Sequence, residues 1–479
     1  MLSRGNSNWR DAGKDPAQKS EFPADKRSST DELFIKLIEI CCLKYDYSNE
    51  YKDIKSKALR NAALKKLLEF FSEPKNSAKY IIQHFDRLID MIKLNIFRPP
   101  FLKRQKYSKA DPDIENIEKI SIFIDPAWPH LKNVYKNFLQ LVIIEEIPFR
   151  ILKSYLNYSF IQDLLEMLNT ENFKEKKYVQ VILVRLYAKV VPKRKLMRAV
   201  MENCLLEIIH EDREFEGTNE LLEILASIIS GFATPLKKDH AIFFIRVIIK
   251  LYKVENLESF YANLSRCTMM ILSKDSSLVI PLIEGLLRYW PCWNSQREVL
   301  FLAELQKILG IYKSMESEAM TLRMLKKISR CLLSQNIQVV DGAMCFFESD
   351  IFLQILRESK EWTLPIFAPI VAEVADNHWD KEIKSSSEAI KEILIEIDAC
   401  AFDLALQSYS KYNCVSILHH SQRRIEAENK WEVLANRAKT INPDSINHIC
   451  LIQTRACLAI NFSNQYPNYS NSKLSTNYY

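Results

Sequence analysis

The sequence predicts an all-α protein, an α-solenoid of paired helices. Three observations support this: little glycine, apolar residues spaced three and four apart, and paired segments that recur about every 40 residues. Glycine accounts for 7 of the 479 residues, against a usual share of about 7%. Because β-rich and α/β folds need glycine in tight turns, where it takes positive φ cheaply, this scarcity favours helices.

The apolar spacing predicts a long series of amphipathic helices that begins near Leu33. The predicted helices cover residues 32–46, 55–72, 76–94, 129–145, 148–168, 174–191, 194–210, 218–231, 238–251, 256–272, 276–289, 296–311, 318–334, 337–357, 362–375, 383–407 and 410–437. Since the first helical turn leaves its backbone N–H groups unpaired, proline is tolerated there. Helices are therefore expected to begin just after Pro129, Pro148, Pro192, Pro281 and Pro365.

A single helix of this kind cannot cover its own apolar stripe, and consecutive helices joined by short links bury it by stacking as antiparallel pairs. We therefore predict a solenoid of HEAT-like repeats over residues 31–443. Residues 1–30 and 444–479 lack a core pattern and are predicted to be disordered. The stretch from Phe101 to Asp125 has no clean helical period and is predicted to be a long connecting loop.

Composition and motifs exclude several classes of function. The formal charge of +6 is small for this length and does not indicate a nucleic-acid partner. No glycines are spaced as in GxGxxG, a Walker loop or GxSxG. The long apolar stretch from Ala241 is interrupted by Arg246 and Lys250 before the ~18 residues of a membrane span. We expect a soluble protein of the cytoplasm, the nucleus or both.

Residues for catalysis or metal binding are not grouped in the sequence. The 11 cysteines form no CxxC pair and predict reduced thiols rather than disulfides or a zinc site. The eight histidines are scattered, and none has a partner at metal-ligand spacing. We therefore predict no catalytic site, no metal and no cofactor.

Basic residues cluster in two places about one repeat apart, RLYAKVVPKRK at 185–195 and KKDH at 237–240. On one continuous helix, Arg185 and Arg194 would point to opposite faces. Pro192 should end the first helix and open the next, so that both arginines can turn toward one groove. The sequence thus predicts a positively charged groove between neighbouring helix pairs.

An apolar segment, LLEILASIISGF at 221–232, lies between the two basic clusters. Its apolar residues cover an arc of about 160° on a helical wheel, which is wider than one buried face needs. Ile224 and Ile228 occupy one edge of this arc and could line a shallow apolar groove beside the cations. An extended segment with apolar anchors and a carboxylate or phosphate would find both kinds of partner there, with arginine as a bidentate clamp.

Each of these signals has a plainer interpretation. Runs of lysine and arginine are commonly solvated faces, and PKRK at 192–195 also resembles a nuclear import signal. A wide apolar arc is also what a fully buried inner helix of a solenoid shows. The residue pattern leaves these alternatives open.

Several longer segments resemble the B-prime family of regulatory subunits of protein phosphatase type 2A. They are AWPHLKNVYKNF at 127–138, LLEILASIISGFATPLKKDHAIFF at 221–244, LLRYWP at 286–291, VLFLAELQKIL at 299–309 and NHW at 377–379. LFIKLIEICCLKYDYS from Leu33 and KWEVLANRAKTINP from Lys430 extend the resemblance over residues 31–443, with order and spacing kept.

The resemblance implies a HEAT-like solenoid of about eight repeats that binds the phosphatase's scaffold and catalytic subunits and selects substrates, without hydrolysing phosphate itself. The family binds linear segments of the form Leu-x-x-Ile-x-Glu, often strengthened by acidic residues or phosphoserine. The resemblance implies that Arg185 and Tyr187 bind the glutamate of this segment. It implies that Arg194, Lys237 and His240 bind the additional acidic or phosphorylated positions of the ligand. It also implies that Ile224 and Ile228 form the wall of the pocket for the ligand's isoleucine.

This chain departs from the family pattern in the first basic cluster. The family usually reads Leu-His-Arg-Ile-Tyr-Gly-Lys, whereas this chain has LVRLYAK at 183–189, with Val184 in place of histidine. Val181 also replaces a threonine upstream. A hydrogen bond to a charged group is worth about 1.5–3 kcal/mol, so we expect weaker affinity for the family's motif or a shifted sequence preference.

Two other functions compete with the regulatory subunit. The same repeats and basic groove would suit an α-solenoid adaptor or transport receptor that carries acidic peptides without any phosphatase. An enzyme whose site is invisible in the sequence is the third hypothesis, and it requires activity of the isolated chain.

Overall fold

The computed structural model describes residues 30–47, 51–72, 74–99, 125–211, 213, 215–311, 318–410 and, except for 432 and 435, 429–437. Every regular element in this part of the chain is helical, which confirms the all-α prediction. The residues form two compact units, divided between Ile328 and Ser329. Among the helices described, we find none with the length and apolar content needed to cross a membrane.

The first unit contains the helices α1 (Thr30–Cys42), α2 (Ile54–Ser72), α3 (Pro74–Gln83), α4 (Phe85–Ile96), α5 (Trp128–Ile143), α6 (Phe149–Tyr155), α7 (Tyr158–Glu166), α8 (Phe173–Lys189), α9 (Arg194–His210), α10 (Thr218–Ser230), α11 (Lys238–Phe243), α12 (Ile249–Leu251), α13 (Leu257–Leu272), α14 (Val279–Arg288), α15 (Ser295–Ile311) and α16 (Glu318–Leu332), which crosses the division. Between them lie 3-10 turns at Val191–Lys193 and Ser276–Leu278 and a π-helical turn at Phe244–Ile248.

The second unit contains α17 (Ile337–Met344), α18 (Asp350–Glu358), α19 (Lys360–Asn377), α20 (Lys381–Ile397) and α21 (residues 399–410), with a 3-10 turn at Cys345–Glu348. Phe346, Phe347, Phe352 and Phe367 form its aromatic core, with ring centroids 5.2–5.8 Å apart. Burial of these rings joins the 3-10 turn that follows α17 to α18 and α19.

Several predicted helices are each two helices in the structure, and in two of these spans a side chain caps the second helix. In the span 148–168, the Asn157 side chain accepts a hydrogen bond from Phe160 N at 2.8 Å and begins α7. In the span 383–407, the Asp398 side chain accepts a hydrogen bond from Ala401 N at 3.0 Å and begins α21. Asparagine and aspartate are strong N-caps. The spans 76–94 and 337–357 are also divided, at His84 and Ser349.

The prediction that a helix begins just after Pro365 is wrong. Helix α19 begins at Lys360 and includes both Pro365 and Pro369. The neighbouring Leu364, Phe367 and Ala368 are all fully buried. Packing of this apolar face outweighs the hydrogen bond that each proline removes from the helix interior.

Three predicted features lie outside the described residues. They are the disordered ends at 1–30 and 444–479, apart from Thr30, the long loop at 101–125, apart from Asp125, and most of the predicted helix at 410–437.

Helices of the first unit stack in two layers. One layer consists of α2, α5, α8, α10, α13 and α15, and each contacts the next in chain order. The other consists of α1, α4, α7, α9, α12 and α14, with Phe97 at the end of α4 against Phe160 of α7. This arrangement is the repeat stacking that the sequence predicted.

Basic side chains of one repeat cap helix ends of the preceding repeat. Lys189 Nζ donates to Val142 O at the end of α5 at 2.9 Å, and Lys274 Nζ donates to Phe232 O, just past α10, at 2.8 Å. Arg297 donates to Tyr252 O, just past α12, at 3.0 Å. The paired residues are 47, 42 and 45 positions apart. Since helix C-termini leave carbonyl groups unpaired, these contacts fix the stacking of neighbouring repeats.

Two buried carboxylates also connect helices of the first unit. Glu304 of α15 is fully buried and accepts hydrogen bonds from Tyr252 Oη at 2.8 Å and Tyr261 Oη at 3.0 Å. Glu175, in the first turn of α8, accepts from Tyr135 Oη of α5 at 2.8 Å. Burial raises the pKa of the Glu175 carboxyl, and the nearby Arg98 opposes the rise. Paired in this way, Glu175 holds the N-terminal end of α8 against α5.

Gly285 permits close approach of two helices and gives a stability test. A Cβ atom at Gly285 of α14 would overlap Cγ2 of Ile249 on α12. We expect Gly285→Ala to lower the free energy of unfolding by about 1–3 kcal/mol through overpacking. The matched control is Gly310→Ala on exposed α15 surface, where a Cβ meets nothing within 4 Å, and it should raise stability by about 0.5–1 kcal/mol. Urea denaturation measures both, and equal effects of the two changes would contradict the close packing.

Candidate functional site

The first basic cluster lies where α8 ends and α9 begins. Helix α8 starts after Asn172, whose side chain accepts from Lys174 N at 3.1 Å, and ends at Lys189. A 3-10 turn that contains Pro192 follows, and α9 begins at Arg194. The predicted break at Pro192 is thus present, and it reverses the chain so that α9 returns beside the end of α8.

Arg194 folds back onto the C-terminal end of α8. Its Nε donates to Tyr187 O at 2.8 Å, and one terminal nitrogen donates to Ala188 O at 3.1 Å. Its guanidinium carbon also lies 5.1 Å from the centroid of the Tyr187 ring. Positive charge is favourable at a helix C-terminus, so Arg194 has a structural role besides any role in binding.

Tyr187 links Arg194 to a second arginine one turn later on α9. The Arg198 guanidinium donates to Tyr187 Oη at 2.8 Å. With Arg194 on its ring and Arg198 on its hydroxyl, Tyr187 holds two guanidinium groups close together. Two adjacent guanidinium groups can bind a carboxylate or a phosphate.

Arg198 also lines a pocket of about 320 Å³. Leu225 and Ile229 of α10 line it with Phe243, and Phe232 and His240 form a stacked pair with ring centroids 3.8 Å apart. The other lining residues are Lys195, Ala199, Glu202 and Asp239. The pocket therefore combines an apolar wall with two basic and two acidic side chains, and Arg194 and Lys237 are not among its lining residues.

The surroundings of His240 favour its neutral form. Partial burial lowers the pKa of the His240 imidazole, and the positive charges of Arg198 and Lys237 lower it further, against the opposing carboxylate of Asp239. A bound anion would favour the protonated form instead. Binding of an anion at His240 should therefore be accompanied by proton uptake, and the affinity should rise as the pH falls toward the lowered pKa of the imidazole.

Two of the predicted site residues, Arg185 and Lys237, have exposed side chains. Arg185 is exposed on α8 and makes no hydrogen bond or ion pair within the part of the chain described. Lys237 is exposed immediately before α11. Val184, at the position that departs from the family pattern, is half-buried. The structure links Tyr187, Arg194 and Arg198 by direct contacts, whereas no direct contact joins Arg185 to them.

Ile224 and Ile228 belong to the core. Their exposed fractions are 0% and 4%, as expected for the inner helix of a solenoid. Their neighbours Leu225 and Ile229, 3% and 0% exposed, are equally buried but line the pocket. Participation of Ile224 and Ile228 in an isoleucine pocket stays a prediction.

Arg198, Phe232 and Phe243 were not among the predicted site residues. Arg198 does carry a signal in the sequence, because it follows the first basic cluster, lies four residues after Arg194 and so shares its face of α9. The two phenylalanines carry no such signal, since their place beside His240 depends on how the segment between α10 and α11 folds.

The pocket has no feature of a metal centre. In the described part of the chain, no group of three histidine, cysteine, aspartate or glutamate residues is arranged to hold a metal ion. Its lining offers an apolar wall and two basic side chains, Lys195 and Arg198, to a ligand.

Comparison with known proteins identifies a family that covers most of the chain. Residues 19–438 match the family model described as "Protein phosphatase 2A regulatory B subunit (B56 family)". A solved engineered protein covers 76% of this chain at 13% identity with a TM-score of 0.30, which is too weak to support an argument.

Curated relatives occur in plants, mammals and yeast. The mouse serine/threonine-protein phosphatase 2A 56 kDa regulatory subunit alpha isoform is 31% identical over 90% of this chain and 87% of its own length. The B' alpha isoform of the 57 kDa regulatory subunit from Arabidopsis thaliana is 30% identical, covering 85% and 81%. The 56 kDa regulatory subunit delta 1 isoform of Schizosaccharomyces pombe is 31% identical, covering 88% and 74%.

Substitution of the two arginines tests their different roles. We expect Arg194→Met to lower the free energy of unfolding by about 1 kcal/mol, because two carbonyl groups at the end of α8 lose their donor. The matched control, Arg185→Met, should change stability by less than about 0.5 kcal/mol, since Arg185 is exposed and unpaired. Chemical denaturation measures both, and an equal loss in the two variants would contradict the capping role of Arg194.

Proposed function

The chain belongs to the B56 family of protein phosphatase 2A regulatory B subunits, and from this we propose that it binds the scaffold and catalytic subunits of the phosphatase and brings substrates to them. It is noncatalytic, as its family membership indicates. Curated relatives that this chain matches over most of their length are themselves named as regulatory subunits.

Substrate selection, we propose, takes place at the pocket that Lys195 and Arg198 line, together with Tyr187 and Arg194 beside it; we call this the basic pocket. The observation that supports this most strongly is the contact of Tyr187 with both Arg194 and Arg198. Beside it lie the apolar wall of Leu225 and Ile229 and the stacked ring of His240. Acidic or phosphorylated linear segments of the form Leu-x-x-Ile-x-Glu carry both the apolar anchors and the negative charge that suit these groups.

In this proposal, each basic residue has a distinct role. Arg185, exposed and unpaired in the described structure, is available to bind the ligand's glutamate. Arg194, Lys237 and His240 meet additional acidic or phosphorylated positions. Because Val184 cannot donate a hydrogen bond, we expect the affinity to be lower than for a chain with histidine there. We also propose that the protein works in the cytoplasm, the nucleus or both.

Assembly can be tested directly. We expect the chain, co-expressed with the scaffold and catalytic subunits of its own organism, to elute with them as a stoichiometric trimer in size-exclusion chromatography. The isolated chain should show no phosphatase activity. Elution as a monomer under these conditions would favour an adaptor that is unrelated to the phosphatase.

Charge reversal tests the pocket separately from assembly. We expect Arg185→Glu, or Arg194→Glu together with Lys237→Glu, to abolish capture of an acidic Leu-x-x-Ile-x-Glu peptide in fluorescence anisotropy, because like charges then face the ligand. The control Lys132→Glu reverses an exposed charge on α5 and should leave capture unchanged. All variants should still form the trimer. Unaltered peptide binding by both the Arg185 variant and the double variant would exclude these basic residues as the binding site.

A further inference from the structure

An exposed cysteine of the first unit lies in contact with a lysine amine. Cys292 belongs to the short segment that joins α14 to α15, and it is exposed to solvent. Lys327, in the second half of α16, donates a hydrogen bond from Nζ to Cys292 Sγ at 3.3 Å. The two residues are 35 positions apart in the chain, and both lie in the first unit. Packing therefore brings a nucleophilic sulfur and an amine nitrogen together from separate elements.

Trp290 restricts the movement of the Lys327 side chain. Lys327 Nζ lies 4.9 Å from the centroid of the Trp290 ring, a distance typical of a cation–π contact. The ring is itself fixed, because only 5% of Trp290 is exposed and its Nε1 donates to Glu298 Oε1 at 2.5 Å. An amine held between a fixed ring and the Cys292 sulfur is in position to attack that sulfur once the sulfur becomes electrophilic.

The other cysteines that the structure describes lack either access to solvent or a neighbouring amine. Oxidants react with accessible thiolates. Cys331 is buried, and burial raises the pKa of the thiols of Cys41, Cys42, Cys204, Cys267 and Cys345. Cys400 is exposed, but no lysine contacts its sulfur among the residues described. Within this part of the chain, Cys292 alone combines exposure with a lysine nitrogen at its sulfur.

We propose that Cys292 and Lys327 form a covalent sulfur–nitrogen bond when the protein is exposed to hydrogen peroxide. In the first step, Cys292 Sγ attacks one peroxide oxygen and the O–O bond breaks. The leaving hydroxide takes the thiol proton, so that a sulfenic acid and water form. In the second step, Lys327 Nζ, after releasing its ammonium proton to water, attacks the sulfur and the S–O bond breaks. The leaving hydroxide takes a proton from the nitrogen and departs as a second water.

Atoms and electrons balance in this reaction. One thiol, one amine and one peroxide yield the bonded pair and two waters, and the electron pair that the sulfur loses reduces the peroxide. Sulfenic acids condense with backbone nitrogen in the same way. A small thiol reverses the reaction, because it attacks the sulfur and releases the amine.

The bond ties the segment between α14 and α15 to α16 for as long as oxidising conditions last. It closes a loop of the chain from Cys292 to Lys327, and such a link restricts the unfolded chain as a disulfide does. Neither residue belongs to the basic pocket, so this modification is independent of the proposed function of that pocket.

The experiment treats the full chain with hydrogen peroxide, blocks the remaining thiols with iodoacetamide and digests the protein with trypsin in the absence of reductant. Because trypsin does not cleave after a modified lysine, we expect residues 289–297 to be linked to residues 327–330. Mass spectrometry should find this pair about 2 Da below the summed masses of the two peptides. Dithiothreitol, added before digestion, should remove the link.

Two substitutions test the pair. Cys292→Ser and Lys327→Arg should each abolish the linked peptides, and the arginine keeps the positive charge beside Trp290. In the Lys327→Arg variant the sulfenic acid is no longer consumed, so labelling of Cys292 by dimedone should rise several-fold over the wild type. The matched control Cys400→Ser removes another exposed thiol and should leave the link unchanged.

Any of three results would overturn the proposal. The first is absence of the linked peptides under conditions in which dimedone labels Cys292 or Cys400. The second is equal labelling of Cys292 in the wild type and in the Lys327→Arg variant. The third is a link that retains oxygen, about 14 Da above the summed masses of the two peptides. Circular dichroism verifies that each variant is folded.

Discussion

The structure of the first unit depends on basic side chains that donate to the helix ends of the preceding repeat. Lys189, Lys274 and Arg297 each reach across a repeat boundary to carbonyl groups that no longer have a helical partner. Stacked helices expose such carbonyl groups at every repeat, and water reaches them poorly once neighbours pack. The same contacts that satisfy these groups also fix how far each repeat is displaced from the last.

Helix α8 shows how this constraint positions a functional surface. Buried Glu175 binds Tyr135 at its N-terminal end, while Lys189 donates to carbonyl groups at the end of α5. Arg194 then caps the α8 carbonyl groups and brings α9 back over Tyr187. The position of the basic cluster at the end of α8 therefore follows from the way the repeats are capped.

The basic cluster and His240 could be predicted from the sequence, because their signals are local. Pro192 indicated the break between α8 and α9, and the spacing of Arg185 and Arg194 showed that the break was necessary for a shared groove. Apolar spacing placed α10 but could not tell which of its residues faces the pocket, because its apolar arc spans more than one face. The structure buries Ile224, Leu225, Ile228 and Ile229 alike, but only Leu225 and Ile229 line the pocket.

The sequence alone determined the helical class, the paired repeats, the family resemblance and the basic cluster, since apolar period, glycine content and charge runs are properties of neighbouring residues. Tertiary structure decided where long apolar segments break, as at Asn157 and Asp398, and where proline is tolerated, as at Pro365. It also decided that Cys292 and Lys327, from two separate segments, lie in contact. These outcomes depend on packing between residues far apart in the chain, and that packing has no periodic signature in the sequence.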